Sequence, residues 1–174
     1  MVDKWTMQTT LFAGVTSIAV LMTGCKATTQ SRACKMSTSA GNAVRLEHVA
    51  LNVADPIKMA KWYADNLGTK VVREGPPPIN MRFIADGGGN MMLELYHNPP
   101  EAVPNYAAMD PLLLHVAFMV DDVDAMRSKL IAAGATAVGE VTTTAAGDKL
   151  AMLRDPWGLA IQFVRRADPM LTQK

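Results

Sequence analysis

Leu113 to Asp122 reads LLHVAFMVDD, and Leu46 to Asp55 reads LEHVALNVAD. Laid over one another, the two segments share His-Val-Ala in the same place and a closing Asp. Alternation and β-branched content mark each as a strand. The Asp suits a helix N-cap, and after Asp55 the favoured first helical position is taken by Pro56. A second copy of one strand-to-helix signal points to an internal repeat.

The rest of the chain keeps step. Ile57, Ala60, Tyr63, Ala64 and Leu67 make one helical stripe, and Val123, Met126, Leu130 and Ala133 make the other. Gly68 and Gly134 stand where a left-handed C-terminal cap is wanted. Second strands are expected at Thr69 to Val72 and Thr136 to Val141. Third strands follow at Met81 to Asp86 and Leu150 to Asp155, and fourth strands at Met91 to Tyr96 and Leu159 to Val164. The pattern predicts two β-α-β-β-β modules, at 45–97 and 112–166, within one α+β domain spanning 45–168 and followed by a tail at 169–174. The linker between the modules contains His97, which falls on the strand face opposite Glu94 and reads as loop.

Composition agrees with one globular domain. The chain has 174 residues, 49% hydrophobic and 19% charged, with a net charge of +1. That balance gives no basic footprint for nucleic acid. The two cysteines, Cys25 and Cys34, both precede the repeat, which leaves no CxxC or Cys/His pattern for a structural zinc and no disulfide scaffold.

Residues 1–25 read as an address. Lys4 gives a weakly positive start, Leu11 to Met22 is an apolar run suited to a secretory signal, and the run ends at Met-Thr-Gly-Cys. This ending resembles a bacterial lipobox, with Cys25 as the lipid-modified residue, and the competing reading is a short uncleaved anchor. Residues 26–44 then form a polar tether, and the domain is expected at the bacterial cell envelope, on a membrane-anchored lipoprotein facing the periplasm or the exterior.

Strand alternation also divides the polar residues by face. Val49, Leu51 and Val53 share one face of the first strand, and His48, Ala50 and Asn52 the other. In the matching strand, Val116, Phe118 and Val120 oppose His115, Ala117 and Met119. The fourth strands set Leu93 and Leu95 against Met92, Glu94 and Tyr96, and Leu159, Ile161 and Phe163 against Ala160, Gln162 and Val164. One face is apolar throughout. The other carries a single polar or ionisable group per strand, at corresponding points of the two repeats. Hydrogen-bonded core histidines and a water-facing Glu94 are the plain alternatives. A divalent metal held by His48, His115 and Glu94 accounts for the repetition with neutral imidazoles and one charge.

The motifs HVAL, ELY, HVAF and RDPWGLAIQF resemble the vicinal oxygen chelate superfamily, which includes glyoxalase I, methylmalonyl-CoA epimerase, extradiol dioxygenases and bleomycin-resistance proteins. The resemblance implies paired modules forming an eight-stranded cup-shaped sheet around one divalent ion (Zn, Ni, Co, Mn or Fe(II)). Its ligands would be His48, Glu94, His115 and Gln162. Gln162 departs from the carboxylate often found there, which leaves Glu94 as ligand and proton-transfer residue in one. Tyr96 shares its face as a weak substrate-binding candidate, with plain packing the preferred reading. Three functions follow from the resemblance: proton transfer of lyase or isomerase type beside a carbonyl, ring cleavage by an Fe(II) dioxygenase, and binding of a small molecule without turnover. A homodimer is among the assemblies it allows. A glutathione adduct, chiefly cytosolic, fits poorly with an envelope address.

Overall fold

The computed structural model describes residues 44–99 and 101–171. The expected signal segment, Cys25, nearly all of the tether and residues 172–174 lie outside the described residues.

The elements run β1 (His48–Asn52), α1 (Pro56–Leu67), β2 (Lys70–Glu74), β3 (Arg82–Ala85) and β4 (Met92–Tyr96) in the first module. The second module runs β5 (Val116–Met119), α2 (Val123–Ala132), β6 (Thr136–Thr143), β7 (Lys149–Arg154) and β8 (Ala160–Arg165). Eight strands and two helices appear where the repeat put them. A 3-10 turn at Tyr106–Ala108, which the linker sequence did not announce, lies between the modules. The strands fall into two sheets of four, ordered β1-β4-β3-β2 and β5-β8-β7-β6, so the modules share one topology. Within each sheet the first and fourth strands pair in parallel, and the remaining pairs are antiparallel.

Local chemistry sets the turns. The Asp55 carboxylate accepts from the Lys58 amide at 3.0 Å, and Asp122 accepts from the Ala125 amide at 3.0 Å. Each cap satisfies one of the amides a helix start leaves open, worth about 1 kcal/mol. Gly68 ends α1 at φ 71°, and its amide donates to the Ala64 carbonyl. On α1 the buried side is Pro56, Met59, Ala60 and Tyr63, whereas Ile57 is 47% exposed. Ala60, Tyr63 and Leu67 of the expected stripe face the core, whereas Ile57 drops out and Met59 is buried in its place.

The core is shared. Tyr63, Phe163, Met59, Ile84, Leu95, Leu130, Leu153, Leu159 and Ile161 are fully enclosed. Each such side chain stabilises the fold by roughly 1.5–3 kcal/mol through removal from water. Tyr63 of module one lies 6.2 Å from Phe118 of module two, which stacks on Phe163 at 5.7 Å. Trp62 packs edge-on against Trp157 at 6.4 Å, and its indole N–H donates to the Ala133 carbonyl at 2.9 Å. The modules are thus joined through their helix-bearing sides. The opposite sheet faces, with Ala50, Ala117 and the 71%-exposed Met119, are turned away from that junction.

Candidate metal-binding faces

In module one, register builds the site. Ala50 of β1 stands opposite Glu94 of β4, and Phe83 of β3 stands opposite Glu94 from the other side. His48 lies one pleat along from Ala50 on the same face. The small Ala50 leaves space over which His48 and Glu94 converge, and His48 Nε2 comes to 3.5 Å from Glu94 Oε2. The Phe83 ring meets the imidazole edge-on at 5.2 Å and holds its plane. Both side chains remain partly open to solvent, His48 at 35% and Glu94 at 24%.

The other imidazole nitrogen has a partner that the sequence reading passed over. His48 Nδ1 is in contact with the Glu47 carboxylate. Alternation assigns Glu47 to the far side of the strand, yet β1 begins only at His48. Just outside the pleat, the Glu47 side chain is free to curl back. An acidic residue directly before a strand-opening histidine is the signal that marks it.

In module two, His115 precedes β5, and its Nδ1 lies 2.8 Å from the Pro111 carbonyl. Gln162 of β8 stands between Ala117 and Met152, the same register that places Glu94 between Ala50 and Phe83. The surroundings differ. Met119 and Leu150 flank Val164 on this face, and a cavity of about 390 Å³ opens beside it, lined by Ala117, Met119, Val164, Met170 and Leu171. Arg166 is the cavity's charged residue and is paired with Asp148 at 2.7 Å.

A carbonyl oxygen and an ionised carboxylate accept hydrogen bonds and cannot donate them. In module two the proton of a neutral imidazole therefore belongs on Nδ1. His48 has an acceptor on each side, the Glu47 carboxylate in hydrogen-bond contact with Nδ1 and the Glu94 carboxylate 3.5 Å from Nε2, and the nearer of the two draws the proton to Nδ1. Glu94 lies beside His48 Nε2, whereas Gln162 stands on the open face of β8 and His115 just ahead of β5. Among the described residues no group of three or more His, Cys, Asp or Glu is placed to hold a metal ion. Tyr96 sits two residues beyond Glu94 on the same face, opposite Asn52 and half-buried. His97 has left the strand face, as expected, and its Nδ1 lies 3.1 Å from the Val53 carbonyl.

The polar residues of the last turn are structural. Arg154 donates to the carbonyls of Tyr106, Gly158 and Met109 at 2.8, 2.9 and 2.6 Å, tying the linker to the end of β7. Asp155 is 3% exposed and accepts from the Trp157 and Leu159 amides and the Tyr63 hydroxyl, each at 2.9 Å. Burial pushes its carboxyl up to about 6 in spite of those donors, and pushes the Tyr63 phenol up as well.

Comparison with known proteins agrees with this fold. The family model described as Glyoxalase/Bleomycin resistance protein/Dioxygenase superfamily matches residues 45–163. Among solved structures, the protein SMU.1112c is 30% identical, with a TM-score of 0.57, covering 71% of this chain and 99% of that one. TnmS3, an antibiotic binding protein from Streptomyces sp. CB03234, is 22% identical at a TM-score of 0.58, covering 74% of this chain and 100% of its own. A glyoxalase family protein from Bacillus cereus is 18% identical at a TM-score of 0.58, with coverage of 76% and 99%. Among curated proteins no significant match is found.

Proposed function

Because the chain belongs to the glyoxalase/bleomycin resistance/dioxygenase superfamily, we propose that it is a metal-dependent, glyoxalase-like enzyme of lyase or isomerase type. Its reaction moves a proton next to the carbonyl of a small substrate that offers two neighbouring oxygens. The observation that supports this reading is a matched feature of the two imidazoles: each has an acceptor on Nδ1, and His48 turns its Nε2 toward Glu94.

His48 and Glu94 would hold the ion from one side, and His115 and Gln162 from the other. When bound, a divalent ion supplies Lewis-acid polarisation of the substrate's oxygens. In a dimer of this chain, His48 and Glu94 of one copy would face His115 and Gln162 of the next. A twofold dimer would carry two such sites. Glu94 is the carboxylate of the set and takes the substrate proton, while the Gln162 amide orients a substrate oxygen.

Elemental analysis of the full-length chain, purified without added metal, tests the proposal. Nickel, zinc, cobalt or manganese in the wild type, lost in His48→Ala and in His115→Ala, is the expected result. Co-expression of the two variants should restore about one site per mixed dimer, because such a dimer keeps one intact pairing. Ferrous iron with oxygen uptake on catechols would instead select the dioxygenase reading.

A second reading, a non-catalytic small-molecule-binding protein, draws support from the apolar cavity on module two and from the absence of a carboxylate at Gln162. Equally low metal content in wild type and both variants would favour it. We also propose Cys25 as the site of lipid attachment at the cell envelope. Palmitate labelling lost in Cys25→Ala is the expected outcome, and labelling that persists would overturn it.

A further inference from the structure

We infer that Glu47 is a positioning residue: its carboxylate holds the proton of His48 on Nδ1 and so presents an unprotonated Nε2 toward Glu94. Three observations carry this. The Glu47 carboxylate contacts His48 Nδ1, and among the described residues that is its one ion-pair contact, with no Lys or Arg competing for it. The Glu47 backbone is anchored, since its carbonyl accepts from the Met92 amide at 3.1 Å, so the side chain starts from a fixed point. Phe83 meets the ring edge-on at 5.2 Å, and Glu94 on the other side stands 3.5 Å from Nε2, beyond hydrogen-bond contact, so the nearer Glu47 decides which nitrogen keeps the proton.

The two modules solve the same problem with different acceptors. His115 uses the neutral Pro111 carbonyl, whereas His48 uses a carboxylate. A charged acceptor draws harder on the Nδ1 proton and leaves more electron density on Nε2. His48 is therefore the stronger donor of the pair and lies on the side that also carries Glu94. The consequence for metal affinity rests on the metal-dependent reading above; the tautomer itself does not.

The test compares wild type with Glu47→Ala in the full-length chain, with nitrogen-15 spectra of the histidine rings recorded without metal, well above the ordinary imidazole pKa of about 6.5. In wild type, His48 and His115 should both show the Nδ1–H pattern. In Glu47→Ala, His48 should move toward the Nε2–H form while His115 stays unchanged, which also reports an intact fold. A His48 ring that keeps its Nδ1–H pattern in Glu47→Ala overturns the inference. Binding of cobalt(II) alone is the second readout, and the variant should bind it roughly 10- to 100-fold more weakly. Equal cobalt affinity in a variant whose tautomer has shifted would refute the claimed consequence. A wild type that binds no cobalt sinks the metal-dependent reading, and the ring spectra then still decide the role of Glu47.

Discussion

Asp155→Asn should make the protein more stable near neutral pH and indifferent to a pH change that weakens the wild type. Asp155 is almost wholly buried, and its carboxyl is raised from 3.8 to about 6. Below the unfolded value both states bind the proton and the group costs nothing. Between the two values the unfolded chain ionises while the folded one resists, so stability falls as pH rises. Above about 6 both are ionised and the loss is complete. Two pKa units at about 1.36 kcal/mol each give a loss of about 3 kcal/mol. Asn keeps the contacts: its carbonyl can accept from the Trp157 and Leu159 amides, and its NH2 can donate to the Tyr63 oxygen. Urea unfolding of both proteins at several pH values between about 4 and 7 gives the difference in stability. Asp55 and Asp148, whose carboxyls are held below the usual value by hydrogen bonds to backbone amides and lysine or arginine neighbours, titrate alike in both proteins and cancel. The advantage of the variant should grow by about 3 kcal/mol across the range. A difference that is constant, or that shrinks with rising pH, would show that the three donors outweigh burial and would refute the reasoning.

Gly158→Ala should destabilise the domain by roughly 1–3 kcal/mol, measured by urea midpoint. Gly158 has φ +86°, and a Cβ there would come within 2.7 Å of the Ala107 backbone nitrogen. Leu130→Ala removes a completely buried side chain from α2 and should cost about 2–5 kcal/mol in the same assay. Glu94→Gln should leave thermal unfolding nearly unchanged, because the side chain is partly exposed. It should lower the proton-transfer rate by about 10²–10⁴-fold, seen as slowed exchange of the substrate's carbon-bound proton with deuterium from solvent.

Much of the architecture was legible because its determinants are local. Strand alternation, the aspartate caps at Asp55 and Asp122, and the glycine at Gly68 each act within a few residues, and each structural feature appeared where its signal stood. The histidine-bearing face was legible for the same reason, since the pleat alone separates His48 from Val49. Where neighbouring segments decide, the sequence was a poorer guide. Ile57 fits a helical stripe by spacing, but the sheet above α1 has room for Met59 instead. Glu47 was missed because alternation does not apply outside the first ladder pair.

What the sequence by itself determined is the repeat, its α+β class, and the strand faces on which His48, Glu94 and Gln162 stand. Tertiary structure decided how those faces relate. Parallel pairing of β1 with β4 sets Ala50 against Glu94 and brings His48 within 3.5 Å of that carboxylate. The long-range contacts of Trp62 and Tyr63 with Ala133, Phe118, Asp155 and Trp157 join the modules through their helices and turn both polar faces outward. A pleat repeats every two residues and is written locally. The direction in which a finished sheet faces depends on which distant apolar surface covers its other side.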